Sequence, residues 1–131
     1  MTPIAPLVTS FFRQHLTGEK GVSKNTLTSY SYAFKFLCSY VSGRVGKPPS
    51  ELHLEDLGAP VIRDFLEHLE QDGKNSTRTR NLRLTAIRSF MKFVEYEVPS
   101  ALEQVLRVRA ITSKRTEERL VNHLTQEEMK A

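Results

Sequence analysis

The sequence predicts an all-α fold, a compact bundle of four to five helices followed by an extended C-terminal linker. Three observations predict it. Apolar residues recur at three- and four-residue steps over most of the chain. Helix-capping and helix-breaking residues, among them Ser23, Gly46, Pro48, Pro49, Gly73, Ser76 and Pro99, punctuate those runs. No segment reads as a strand, Leu120 to Leu124 being at most briefly extended.

In order along the chain, Ile4, Leu7, Val8, Phe11, Phe12 and Leu16 mark a first amphipathic helix that Gly18 and Gly21 stop. Ser23 is a natural N-cap for a long second helix, because its hydroxyl can accept from the free N–H groups of the first turn. Leu27, Tyr30, Phe34, Leu37, Cys38 and Val41 form the inner stripe of that helix. Tyr32, Phe36 and Tyr40 form a second apolar flank that should touch a neighbour. Gly43, Gly46 and the Pro48–Pro49 pair end it. A connector follows whose leucines, Leu52, Leu54 and Leu57, tuck under the bundle. Pro60 suits the first turn of a third helix carrying Ile62, Phe65, Leu66 and Leu69 inward, and Asp72–Gly73 closes it. Asn75 or Ser76 caps a fourth helix reaching about Glu97, with Leu82, Ala86, Ile87, Phe90, Phe93 and Val94 on its core face. Pro99 breaks it, and Ser100 starts a short fifth helix with Leu102, Val105 and Leu106 inward.

Beyond Arg109 the pattern changes. Thr112 to Arg119 is polar and aperiodic, as a linker would be, and Thr125 to Glu128 is a capping box that opens another helix. Three units are therefore expected: a domain over 1–110, a linker over 111–124, and over 125–131 the start of a further domain from which this chain is cut.

At 131 residues the chain can bury a core without disulfides or metals, and 39% hydrophobic with 26% charged residues argues against disorder. Its one cysteine, Cys38, rules out an internal disulfide and fits a reducing compartment as a buried thiol. No apolar stretch nears the roughly 20 residues a bilayer needs, and Met1 to Ser10 has no signal-peptide pattern, so a cytoplasmic protein without a membrane partner is expected. The sequence carries no Gly-x-Gly-x-x-Gly, no Gly-x-x-x-x-Gly-Lys-Ser/Thr and no His-Glu-x-x-His. His15, His53, His68 and His123 are scattered without ligand spacing. Neither a cofactor, nor a metal site, nor catalysis by this chain alone is expected.

The net charge is +4, but its distribution says more. Lys74 to Lys92 holds six basic residues and no acidic one, whereas Glu51 to Asp72 holds seven acidic residues and one Arg. Charge segregated by element points to a surface built for a polyanion. Two helix starts suit that use, since a helix N-terminus offers free N–H donors and a positive dipole end. The first supplies Lys24, Asn25, Thr26 and Ser29; the second supplies Thr77, Arg78, Arg80, Asn81 and Arg83. Arg88 and Lys92 extend the second along the outer line of the fourth helix begun by Asn81, although Arg88 could instead pair with Glu67, Glu70 or Asp72. These residues are the candidate DNA-binding set, the two helix starts forming one cationic ledge. Capping and solvated charge explain either patch alone, and a helical protein–protein interaction module without DNA affinity is the alternative.

The stretches Ser23 to Tyr30 with Phe34 to Leu37, Thr79 to Phe90, and Leu124 to Glu128 together resemble phage-integrase-type tyrosine recombinases. The resemblance implies a SAM-like core-binding domain with its second and fourth helices against double-stranded DNA. It further implies a catalytic domain of the same full-length chain closing from the other side of the duplex, and other recombinase protomers on the DNA. The strand-cutting tyrosine and its Arg, Lys and His partners would lie in that other domain, leaving no catalytic residue here.

Overall fold

The computed structural model describes residues 1–115, all helical bundle and connecting turns. Helix α1 (Ile4–Ser10) runs without a break into a π-wound segment, Phe11–Glu19. There the Lys20 N–H donates to His15 O at 2.9 Å, five residues back. The wider winding turns residues five apart toward one side, and Phe11 and Leu16 are both fully buried. The helix therefore passes through Gly18 instead of stopping there; the turn falls at Gly21, whose φ of +56° costs glycine little.

Helix α2 (Lys24–Val45) begins as the sequence predicts, with the Ser23 hydroxyl accepting from the Thr26 N–H at 3.2 Å. Ala33, Phe34, Leu37 and Val41 face inward. The helix continues through Gly43 and ends on Gly46 in a left-handed conformation. Two short 3-10 turns, Pro49–Glu51 and Leu54–Asp56, make the connector, and Leu52, Leu54 and Leu57 are buried beneath the bundle. The start of the chain is tied to this connector, Ile4 N–H to Leu52 O and Leu54 N–H to Thr2 O.

Helix α3 (Ala59–Gln71) carries Pro60 in its first turn and buries Ile62, Phe65, Leu66 and Leu69. Helix α4 (Thr77–Glu97) is capped by Ser76, whose hydroxyl accepts from the Thr79 N–H at 3.1 Å. Asn75 serves the preceding helix instead, donating its side-chain amide to Leu69 O. The buried line of α4 is Leu84, Ile87, Met91 and Val94 with Ala86, Phe90 and Phe93 beside it; Leu82, expected inward, is 48% exposed because that line turns it out. After a 3-10 turn at Pro99–Ala101, helix α5 (Leu102–Arg109) buries Val105 and Val108. Leu102 and Leu106, also expected inward, lie four apart on its exposed side.

The centre of the core is aromatic. The Phe11 ring meets Phe90 at 5.4 Å, Phe93 at 5.5 Å and Phe34 at 6.0 Å, and Phe34 meets Phe90 edge-on at 5.1 Å. Such pairs contribute about 0.5–1.5 kcal/mol each beyond area burial. Through them the π-wound segment locks the crossing of α2 over α4. No helix among the described residues is long and apolar enough to cross a membrane.

Candidate nucleic-acid interface

Helix α2 presents an outward line of Lys24, Thr28, Ser31 and Lys35, at spacings of four, three and four residues, all exposed. Tyr32, Phe36 and Ser39 adjoin it and are exposed too. The apolar character of Tyr32 and Phe36 predicts burial against a neighbouring helix; both rings are instead largely exposed and stack on one another at 6.2 Å with planes 17° apart, with Arg83 of α4 beside Phe36. Of the expected second flank only Tyr40 packs inward, against Phe65 at 5.6 Å and His68 at 5.0 Å.

Arg83 joins the two helices. Its guanidinium lies 5.6 Å from the centre of the Phe36 ring and donates to Ser29 O at 3.2 Å. The beginning of α4 sits beside the second half of α2, where Asn75, Arg83, Phe36, Ser39 and Tyr40 line one shallow groove. Farther along, Phe90 meets Phe34, and Phe93 and Tyr30 flank Phe11. The two helices cross, Arg83 of α4 reaching Ser29 near the start of α2 and Phe36 near its middle. From Lys24 to Ser39 along α2 is roughly 20 Å at 1.5 Å per residue. The cationic surface of the two helices is the outer line of α2 next to the first turns of α4, with Arg83 bridging them.

On α4 the exposed line is Arg78, Leu82 and Thr85. Around the helix from it, three of the predicted residues are taken up by the chain itself. Residues 111–114 do not leave the bundle but fold back as a strap. The Arg88 guanidinium donates to Ile111 O, Arg80 to Thr112 O at 3.0 Å, and Asn81 both accepts from Lys114 N–H at 2.9 Å and donates to Lys114 O at 2.7 Å. Ile111 is buried beneath. Lys114 in turn pairs with Glu70 at 2.9 Å, and this ammonium holds the Glu70 carboxyl below its usual range. Arg80 is itself buried, which lowers its pKa, while Glu70 at 4.0 Å opposes the shift. Arg88 pairs with no carboxylate of α3 among the described residues. The buried Nε atoms of Arg80, Arg83 and Arg88 have no hydrogen-bond partner there.

The eleven predicted residues thus divide. Ser29 and Arg83 are in contact, and Thr77 and Arg78 stand at the start of α4 beside them, with Thr77 donating to Glu70. Lys24, Asn25 and Thr26 occupy the first turn of α2, Lys24 on its outer line. Arg80, Asn81 and Arg88 hold the strap. Lys92 lies in a separate groove with His15, Glu19, Lys20 and Tyr96. Ser31, Tyr32, Lys35 and Phe36, absent from the predicted set, are exposed on the same side of α2. A signal for them exists: residues 20–50 contain no carboxylate at all, nor do residues 73–94. Lys24, Lys35 and Arg78 make no ion pair among the described residues, whereas Arg44, near the end of α2, pairs with Asp64 of α3. The strap also carries the folded body past the boundary expected at residue 110. The expected remainder of the linker to 124, and the helix start at Thr125, lie outside the described residues.

The described residues form an all-helical body in which α2, and α4 before Glu95, carry no carboxylate. The chain belongs to the phage integrase family, through the N-terminal SAM-like domain whose family model matches residues 10–97. It is 44% identical over 128 residues to one integrase/recombinase of Sinorhizobium fredii and 38% identical over 128 residues to another. Each match covers 98% of this chain but only 39% and 46% of those relatives, so the chain spans less than half of their length. The tyrosine recombinase XerD of Rhizobium meliloti is 32% identical over 98 residues, 74% of this chain and 29% of its own. No solved structure matches the chain.

Proposed function

We propose that this domain binds double-stranded DNA as one half of a clamp in a site-specific tyrosine recombinase, serving DNA integration and recombination. The observation that carries the reading is that the two helices making this surface, α2 and α4 before Glu95, carry no carboxylate of their own. Lys24, Lys35 and Arg78 would meet phosphates, and the exposed hydroxyls of Thr28 and Ser31 would reach the backbone or base edges over short range. Phosphate contacts position a protein on the duplex and release counterions, so affinity falls with salt. Arg80, Asn81 and Arg88 serve this surface indirectly, by seating the strap.

Strand cutting and rejoining would belong to a catalytic domain elsewhere in the full-length chain, opening near Thr125 and reached through a linker that follows the strap. The exposed Leu102 and Leu106 of α5 are suited to contact with another protomer on the DNA.

Fluorescence anisotropy with a labelled duplex tests the reading. At low salt the domain should bind with a Kd on the order of micromolar, typical of sequence-tolerant binding. Changing Lys35 and Arg78 to Ala should weaken binding and reduce the salt slope by about one for each phosphate contact removed. Arg107→Ala, on α5, should leave both unchanged. Absence of binding at low salt, or equal salt slopes for all variants, would refute it.

A further inference from the structure

Phosphate contacts need no exposed aromatic rings, yet this surface carries two. Two aromatic rings, Tyr32 at 48% and Phe36 at 44% exposure, stand in water on a face whose other exposed members, Leu82 of α4 apart, are polar or cationic. Exposed apolar patches of this kind mark a binding partner. The patch is also braced. The rings stack on each other, and Arg83, itself tied to Ser29 O, lies against Phe36. A braced pair loses little side-chain freedom on binding.

The partner has to accept apolar contact at the centre and positive charge around it. Lys35 neighbours the pair in sequence, Lys24 and Arg78 lie on the lines to either side, and there is no carboxylate on α2 or on α4 before Glu95. The surface of a duplex fits that pattern. Its phosphates run along both edges of the major groove, and the groove floor displays one apolar group, the C5-methyl of thymine. An α-helix is the element that enters this groove.

Resting on the proposed DNA binding, we infer that Tyr32 and Phe36 form an apolar reading head for thymine methyl groups, giving this domain a preference for thymine where α2 lies in the groove. Arg83 is a positioning residue: it holds the Phe36 ring and contributes charge beside it. The phosphate contacts set affinity, and the ring pair sets which base step is favoured.

The test compares a short A·T-rich duplex with the same duplex in which every thymine is replaced by deoxyuridine, which removes only the methyl groups. The domain should bind the thymine duplex more tightly, by roughly fourfold for each methyl buried. The double variant Tyr32→Ala, Phe36→Ala should bind both duplexes alike while keeping the wild-type salt slope. Its helical circular dichroism should match the wild type, since both side chains are exposed and Ala favours helix. Arg83→Lys, which keeps the charge but loses the planar stack, should reduce the discrimination in part. Equal affinity of the wild type for the two duplexes, or discrimination that survives in the double variant, overturns the inference while leaving DNA binding intact. Should the double variant lose self-association or capture of a helical partner with its thymine preference unchanged, the patch is a protein contact and the inference is wrong. Failure of the wild type to bind either duplex at low salt overturns the DNA reading and this inference together.

Discussion

Asp56 closes the connector between α2 and α3. Its carboxylate accepts from the Lys47 ammonium at 2.8 Å and from the His53 N–H at 2.9 Å, and Lys47 also lies 3.0 Å from His53 Nδ1. Lys47 is the main cause that holds the Asp56 carboxyl below its usual range, with the His53 N–H adding to it against burial. Glu55 is lowered as well, by the Thr2 N–H, so the start of the chain and the connector share this charge-assisted seam. A carboxylate whose pKa is depressed by folding contributes stability above its unfolded pKa, about 3.9 for Asp, and that contribution is lost as pH falls through the folded value. Asp56→Asn should therefore cost about 1–2 kcal/mol at neutral pH. The gap to the wild type should narrow as pH drops below about 4. Urea unfolding at neutral and acid pH measures both; a gap independent of pH would show that the ion pair contributes nothing.

The turn between α3 and α4 decides where α4 begins. Leu69 O accepts from both the backbone and the side-chain amide of Asn75, and Lys74 takes a left-handed φ of 52° to allow it. Gly73 sits inside this turn, where a Cβ would come 2.9 Å from Asn75 Nδ2 and 3.0 Å from Leu69 O. Because the second of these is backbone, Gly73→Ala should destabilise the domain by about 1–3 kcal/mol. Gly43 provides the opposite case: it lies within α2 with nothing within 4 Å of a Cβ. Gly43→Ala should stabilise by up to about 1 kcal/mol, the difference in helix propensity. Thermal melts of the two variants should move in opposite directions, and a common direction would contradict the geometry of the turn.

For the molecule as a whole, the strap is the feature with the longest reach. Ile111 fills the bundle, and the carbonyls of Ile111 and Thr112 are the acceptors for two arginines of α4, one of them buried. A chain ending at Ala110 loses that apolar burial and leaves the Arg80 guanidinium without its backbone acceptor. It should be about 2–4 kcal/mol less stable than the full chain in urea unfolding. Coincident unfolding curves would mean that 111–114 is only a tether. In the proposed full-length recombinase the same strap would set where the chain leaves this domain. The contacts of Arg80, Asn81 and Arg88 therefore bear on how the two halves of the proposed clamp are joined.

The sequence by itself determined the helices, because period, caps and breakers act within a few residues: Ser23, Gly46, Pro60 and Ser76 do in the structure what their chemistry allows locally. It also determined the family, and the charge contrast between α3 and α4 that pointed to a polyanion. Only the tertiary structure decided which side of each helix is free. Leu82, Leu102 and Leu106 look inward by spacing, yet Leu84, Val105 and Val108 take the core positions. Tyr32 and Phe36 look like core and stand in solvent. Arg80 and Arg88 look like free cations and hold the strap. The physical reason is that helical period is set by local backbone geometry, whereas orientation about the helix axis is set by packing against residues far away in sequence. The crossing of α2 and α4, which sets Arg83 of α4 against Ser29 and Phe36 of α2, is a packing decision of that kind.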